Sequence, residues 1–170
     1  MKILFLGNSH TYCNGLPFQL RALLRTTDPD ADCCMFTTGG MSIGWHARQP
    51  ETQAAIKYHD WDYIVLQQRT HPFAGYQALR DDCRAILPLL RRSRARVLLY
   101  MTWPAKALPG DQVAMARAFL RVARQIGAQP VPVSVAWLRV QRGKPGINLY
   151  AADGKHANPK GTYLAACVFY

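Results

Sequence analysis

The chain has 170 residues, of which 49% are hydrophobic and 18% are charged. This length allows one sizeable core and is too short for two ordinary domains, so we predict a single domain over residues 1–170. The composition excludes an intrinsically disordered chain. No apolar run approaches the roughly twenty residues that a membrane-spanning helix needs, so no membrane span is predicted.

The formal net charge is +11. Such a field attracts anionic substrates and surfaces, although a basic solvated surface without an assigned partner is the simpler interpretation. The sequence carries no nucleic-acid-binding signature, so nucleic acid is not an expected partner. A small ligand that carries negative charge stays among the expectations, and nothing in the sequence indicates an oligomeric state.

The five cysteines are odd in number and form no C-x-x-C pair, so neither a redox motif nor a zinc site is predicted. The apolar run Met1–Leu6 is too short for the apolar region of a secretory signal. We therefore expect a cytoplasmic protein, with export and removal of a signal as the alternative. The last helical pattern is still running at Tyr170, so a longer natural chain is compatible with the sequence.

Short apolar runs alternate with segments of helical periodicity along the whole chain. The strand-like runs are Lys2–Leu6, Asp32–Thr38, Asp62–Gln67, Arg96–Thr102 and Gln129–Val133. The predicted helices are Leu16–Thr26, Ile43–Tyr58, Gly75–Arg92, Asp111–Ile126 and Gly161–Tyr170, and Gln141–Leu149 is predicted to be a loop. This alternation predicts an α/β fold, a five-stranded parallel sheet with helices on both faces.

Ser9 directly follows the first predicted strand and opens the turn into the first helix. In a parallel sheet, ligands bind outside the carboxyl ends of the strands, where this turn lies. A serine in such a turn is most often a turn former or a helix N-cap, and as a nucleophile it needs a base. Asp153 and His156, three residues apart near the other end of the chain, are candidates for that base and its orienting carboxylate.

Two segments carry a resemblance to a known family. ILFLGNSHTYCNGLP, which contains Ser9, resembles the first block of the SGNH/GDSL hydrolases, and DGKHANPKGTYLAACVFY resembles their last block. The resemblance implies a three-layer α/β/α, flavodoxin-like fold that cleaves esters or transfers acyl groups without a cofactor or metal. It assigns Ser9 as nucleophile, Asp153 and His156 as its partners, and the backbone N–H groups of Ser9 and Gly40 to the oxyanion hole.

The sequence departs from the family at the third block, whose asparagine side chain supplies a further oxyanion donor. Leu66-Gln67-Gln68-Arg69 stands in its place. Because a glutamine amide offers the same N–H donors, we predict Gln67 as the replacement, with Gln68 as the second choice. A structural role, in which the amide ties adjacent loops together, is equally compatible with the sequence.

Ser42 is a competing candidate nucleophile, because Gly40-Met41-Ser42-Ile43-Gly44 matches the G-x-S-x-G elbow of another hydrolase fold. The chain has no accompanying oxyanion segment of that fold, and Ser42 is better explained as a helix N-cap. His10 and His71 are expected near the site because of their neighbours, while His46 and His59 have no indicated role. The sequence thus favours a serine esterase acting on a small ester, with an acyltransferase and a non-catalytic binding module as alternatives.

Overall fold

A computed structural model describes residues 1–170, and a single parallel sheet forms its centre. The strands are β1 (Lys2–Gly7), β2 (Asp32–Thr37), β3 (Tyr63–Gln67), β4 (Arg96–Tyr100) and β5 (Gln129–Val131). Their order across the sheet is β2-β1-β3-β4-β5, and every neighbouring pair is parallel. The predicted five-stranded parallel sheet is therefore confirmed.

Helices cover both faces of the sheet. They are α1 (Ser9–Tyr12), α2 (Leu16–Leu24), α3 (Ile43–His46), α4 (Pro50–Tyr58), α5 (Gly75–Leu90), α6 (Asp111–Ile126), α7 (Val133–Gly143) and α8 (Pro159–Phe169). A short 3₁₀ turn, Cys13–Gly15, separates α1 from α2. No helix of the structure combines the length and the apolar character that crossing a membrane would require.

The alternation of side chains along β1 divides the core into two layers. Ile3 and Phe5 pack with α2, α7 and α8, whereas Leu4 and Leu6 pack with α3 to α6 on the other face. Both faces of the sheet are thus buried, which explains why the strands read as nearly continuous apolar runs.

Two sequence predictions about helices were wrong. The predicted helix Ile43–Tyr58 is divided into α3 and α4, because Pro50 has no backbone N–H and starts a new helix. Helix α7 was not predicted, and it covers the first residues of the predicted loop Gln141–Leu149. It forms because Trp137 is fully buried against Trp103, with ring centroids 3.8 Å apart.

Gly7 lies at the carboxyl end of β1, two residues before Ser9, and has no room for a side chain. A side chain on Gly7 would begin 2.6 Å from Oε1 of Gln67, closer than real side chains approach. Only glycine therefore lets β1 and β3 end side by side at this edge. The carboxyl edge of the sheet, where β1, β2 and β3 end together, is the part of the fold that carries Ser9.

Candidate active site

Ser9 is the first residue of α1, a helix that Asn8 caps. The side-chain oxygen of Asn8 accepts a hydrogen bond from the His10 N–H at 3.1 Å, and its carbonyl accepts from the Thr11 N–H at 2.8 Å. The N–H of Ser9 has no such partner, as expected of the first residue of a helix. It is free to donate to a group that approaches the Ser9 hydroxyl.

The structure brings Ser9, His156 and Asp153 together although they are distant in sequence. Nε2 of His156 lies 2.7 Å from Oγ of Ser9. On the other side of the ring, Nδ1 of His156 contacts Oδ2 of Asp153 in a short hydrogen bond. The imidazole therefore bridges the hydroxyl and the carboxylate, the arrangement in which a histidine accepts a hydroxyl proton.

The Asp153 carboxylate is fixed by its own loop. Its second oxygen accepts hydrogen bonds from the N–H groups of Lys155 at 2.9 Å and His156 at 3.0 Å. The hydrogen bond to the His156 ring, together with these backbone donors, holds the pKa of Asp153 far below its ordinary value. Asp153 is consequently a carboxylate at neutral pH, and it holds a proton of His156 on Nδ1.

Asn14 connects the beginning of the chain to the loop of His156. Its side-chain amide donates to the Ala157 carbonyl at 2.8 Å and to the Thr162 hydroxyl at 3.0 Å. Asn14 has a left-handed backbone (φ 56°), which asparagine tolerates better than most residues. Asn14 lies within the segment that resembles the first block, and no sequence pattern indicates this contact.

Gly40 lies in the loop after β2, beside the Ser9 turn. The Asn8 side chain donates to the Met41 carbonyl at 2.9 Å, and the Thr38 N–H donates to the Gly7 carbonyl at 3.1 Å. Gly40 itself has a left-handed backbone (φ 71°), and its N–H donates to no other group of the chain. Two unpaired N–H groups, those of Ser9 and Gly40, are thus available in adjoining turns.

The structure does not leave Gln67 free to act as the predicted oxyanion donor. The side chain is fully buried, and its amide nitrogen donates to the Gln68 carbonyl. Its oxygen accepts from the Asn8 N–H at 2.8 Å and from the Thr11 hydroxyl at 3.1 Å. The amide is occupied in tying β3 to the Ser9 turn, which favours the structural alternative.

Gln68, the second choice, is occupied as well. Its oxygen accepts from the Ile43 N–H at 3.0 Å, and its nitrogen donates to the Asp82 carboxylate at 2.6 Å. Both glutamines therefore act as internal connectors in this structure.

Ser42 occupies the N-cap of α3. Its hydroxyl accepts a hydrogen bond from the Trp45 N–H at 3.3 Å, and no histidine contacts it. The nearby His46 is buried, and its Nε2 lies 2.7 Å from the Gly7 carbonyl. The N-cap interpretation of Ser42 agrees with this geometry.

Two further histidines pack behind His156. The ring centroid of His10 lies 4.9 Å from that of His156 and 4.6 Å from that of His71. Burial, with repulsion from the neighbouring histidines, lowers the pKa of His10 to about 3 and that of His71 to about 4. Both rings are therefore neutral at pH 7, and no group of three or more His, Cys, Asp or Glu side chains is arranged to hold a metal ion.

The site is exposed at the surface. His156 and Asp153 keep 31% and 44% of their side-chain surface accessible. A cavity of about 800 Å³ lies at the opposite edge of the sheet, where Trp61 and Arg96 line it. The side chains of His156 and Asp153 are thus partly accessible to solvent, away from this cavity.

No family model and no curated protein sequence matches the chain. Solved structures do resemble it over 99% of its length. An acetyl xylan esterase superposes with a TM-score of 0.78 at 16% identity over 98% of its own chain. A lipolytic G-D-S-L family protein from Veillonella parvula gives 0.74 at 12% identity over 95% of its chain.

A third similar structure is a DUF4886 family protein from Bacteroides uniformis, with a TM-score of 0.77 at 18% identity over 81% of its chain. At these identities the similarity shows the fold. The chain has the three-layer α/β/α fold of the SGNH/GDSL hydrolases, as its sequence predicted.

Proposed function

We propose that this protein is a serine esterase in which Ser9 is the nucleophile, His156 the general base and Asp153 the carboxylate that orients the base. The observation that carries the proposal is the continuous hydrogen-bonded path from Ser9 Oγ through both ring nitrogens of His156 to Asp153. A histidine held in this way accepts the hydroxyl proton as the oxygen attacks, and the carboxylate stabilises the imidazolium that results.

The reaction takes place in two steps. His156 removes the Ser9 proton, Ser9 Oγ bonds to the ester carbonyl carbon, and His156 returns the proton to the departing alkoxide. A water molecule then loses a proton to His156 and attacks the acyl-enzyme, which releases the carboxylic acid and restores Ser9. During both steps the N–H groups of Ser9 and Gly40 stabilise the negative oxygen, and the chemistry requires no metal or organic cofactor.

The similar structures support ester hydrolysis as the reaction class. Their names include an acetyl xylan esterase and a lipolytic protein. Because one of the similar structures is an acetyl xylan esterase, we assign a small acyl group, such as acetyl, to the substrate of this chain. The partial exposure of His156 and Asp153 gives an acceptor alcohol access to the acyl-enzyme, which makes acyl transfer the second candidate.

The proposal is tested with Ser9→Ala and Ser42→Ala on p-nitrophenyl acetate. Ser9→Ala should lose nearly all turnover, whereas Ser42→Ala should keep it, with circular dichroism as the check that both variants fold. Loss of activity in Ser42→Ala alone would contradict the assignment. A non-catalytic binding module would show no burst of nitrophenol in the wild type, and an acyltransferase would show an acceptor alcohol outcompeting water.

A further inference from the structure

Three basic residues lie on separate loops at the edge of the sheet that carries Ser9. Arg69 follows β3, Lys106 lies in the loop after β4, and Lys155 lies between Asp153 and His156. All three basic residues are exposed, and none of them takes part in any of the four ion pairs of the structure. Their charges are therefore not neutralised by protein carboxylates in direct contact.

Lys106 and Lys155 lie on the His156 side of the site. The Lys106 N–H donates to the Gly154 carbonyl at 2.8 Å, which joins the β4 loop to the loop that carries His156. Cβ of Lys106 would lie 3.6 Å from a side chain placed on Gly154. Lys155 immediately precedes His156, and its charge contributes to lowering the pKa of the half-buried His71. The two lysines thus lie on the loop that carries His156 and on the loop that is hydrogen-bonded to it.

The Asp153 carboxylate offsets only one of the two lysine charges. It keeps its own negative charge, because hydrogen bonds from the His156 ring and from two backbone N–H groups do not neutralise it. Asp82 accepts a hydrogen bond from Gln68, and neither Asp82 nor Asp111 forms an ion pair with Lys106 or Lys155. One positive charge in excess of Asp153 therefore remains on the two loops that carry His156 and Lys106.

The proton transfer that completes acylation determines which part of the substrate lies near these lysines. His156 must deliver its proton to the leaving oxygen, so the alcohol part of the ester has to lie next to the His156 ring. The acyl oxygen points to the other side, toward the N–H groups of Ser9 and Gly40. The leaving alcohol is therefore the part of the substrate nearest to Lys106 and Lys155.

We propose that the site selects esters whose alcohol part carries a negative charge, such as a carboxylate, and that Lys106 and Lys155 recognise it. This inference rests on the proposed esterase function and names its substrate class. Arg69, on a loop beside the Ser9 turn, adds to the field that draws the anion toward the site. Because the lysines are exposed, the expected selectivity is moderate and sensitive to salt.

The test compares two acetate esters of the same shape, 4-acetoxybenzoate, which is an anion, and 4-acetoxybenzamide, which is neutral. At low ionic strength, kcat/KM for the anionic ester should exceed that for the neutral one by about tenfold. The ratio should approach one in about 1 M NaCl, where the screening length falls to about 3 Å. The double variant Lys106→Gln/Lys155→Gln should lower the ratio at low salt by about threefold to tenfold.

Arg142→Gln is the matched control. Arg142 is exposed and basic, and it lies at the end of α7, a helix that begins after β5 and runs away from the edge that carries Ser9. This variant should retain the preference for the anionic ester. An equal rate for the two esters in the wild type, or an unchanged ratio in the double lysine variant, would overturn the inference.

A binding measurement separates this inference from the proposed function. Ser9→Ala should bind 4-acetoxybenzoate more tightly than 4-acetoxybenzamide in a calorimetric titration, and the double lysine substitution in that background should remove the difference. If the binding preference exists while the wild type hydrolyses neither ester, the esterase proposal fails and the charge recognition stands. If the wild type hydrolyses both esters and no preference is found in either assay, the esterase proposal stands and the charge recognition fails.

Discussion

The side-chain oxygen of Gln67 lies 2.8 Å from the backbone nitrogen of Asn8, the residue that precedes Ser9. The same oxygen also accepts a hydrogen bond from Thr11, so one buried amide holds both ends of the first turn of α1. The end of β3 therefore determines where the Ser9 turn lies relative to the sheet. Gln67 acts on Ser9 through the backbone, which assigns it a positioning role.

Gln67→Ala should lower the free energy of unfolding by about 1–3 kcal/mol, because it leaves the Asn8 N–H buried and unpaired. Urea denaturation measures this loss, and Gln68→Ala provides a matched variant at the neighbouring buried amide. If Gln67→Ala instead keeps its stability and loses about 10²–10³ in kcat, the amide is an oxyanion donor and the positioning role is wrong.

Asn8→Asp should lower kcat of ester hydrolysis by about tenfold with little change in KM. The Asn8 side chain donates to the Met41 carbonyl at 2.9 Å, next to Gly40, and an aspartate would place a negative oxygen against that carbonyl. The aspartate still caps α1, but it leaves the Met41 carbonyl without its donor, so the free energy of unfolding should fall by about 1–3 kcal/mol. Steady-state kinetics with p-nitrophenyl acetate measures the effect. An unchanged kcat would show that the Met41 contact does not position the Gly40 N–H.

Much of the fold could be predicted from the sequence, because strand and helix patterns are local. Asn158 caps α8 by accepting from the Gly161 N–H, and Gly127 ends α6 with a left-handed backbone, both as local sequence rules predict. Helix α7 was missed because its stability comes from the stacking of Trp137 on Trp103, a contact between residues far apart in the chain.

The site residues could be predicted where the family resemblance applied. The contacts that depend on packing could not. The resemblance selected Ser9, Asp153 and His156, which the structure brings within hydrogen-bond reach. It could not indicate that the Gln67 amide is buried and hydrogen-bonded to the Ser9 turn, because that depends on how closely β1 and β3 approach at Gly7. The burial of His10 likewise arises only when three loops meet.

Asp153→Asn should reduce kcat by about 10⁴-fold, the loss seen when the aspartate of a serine protease triad becomes asparagine. The amide can still accept the two backbone hydrogen bonds, so the loop should keep its shape, but it no longer stabilises the imidazolium. Stopped-flow acylation with p-nitrophenyl acetate measures the step directly. A variant with normal acylation would show that Asp153 only fixes the loop.

The buried His10 and the half-buried His71 predict how stability changes with pH. Burial lowers their pKa values to about 3 and about 4, whereas the ordinary value of 6.5 applies in the unfolded chain. Between pH 6.5 and about 4 the unfolded state therefore binds protons that the folded state does not. Stability is fully present above pH 6.5 and is lost as the pH falls toward 4.

The expected slope near pH 5 is about 1.4 kcal/mol per pH unit for the buried His10, and it is smaller for His71 because solvent screens this half-buried group. His46, whose burial also lowers its pKa, acts in the same direction. Urea denaturation between pH 4.5 and 7 measures the slope. His10→Phe should reduce the number of protons taken up on unfolding by about one, and so lower the slope. His59→Gln, which removes an exposed histidine, should leave the slope unchanged. An identical slope in His10→Phe and the wild type would mean that His10 is accessible to protons in the folded state, and that the neutral packing behind His156 does not persist in solution.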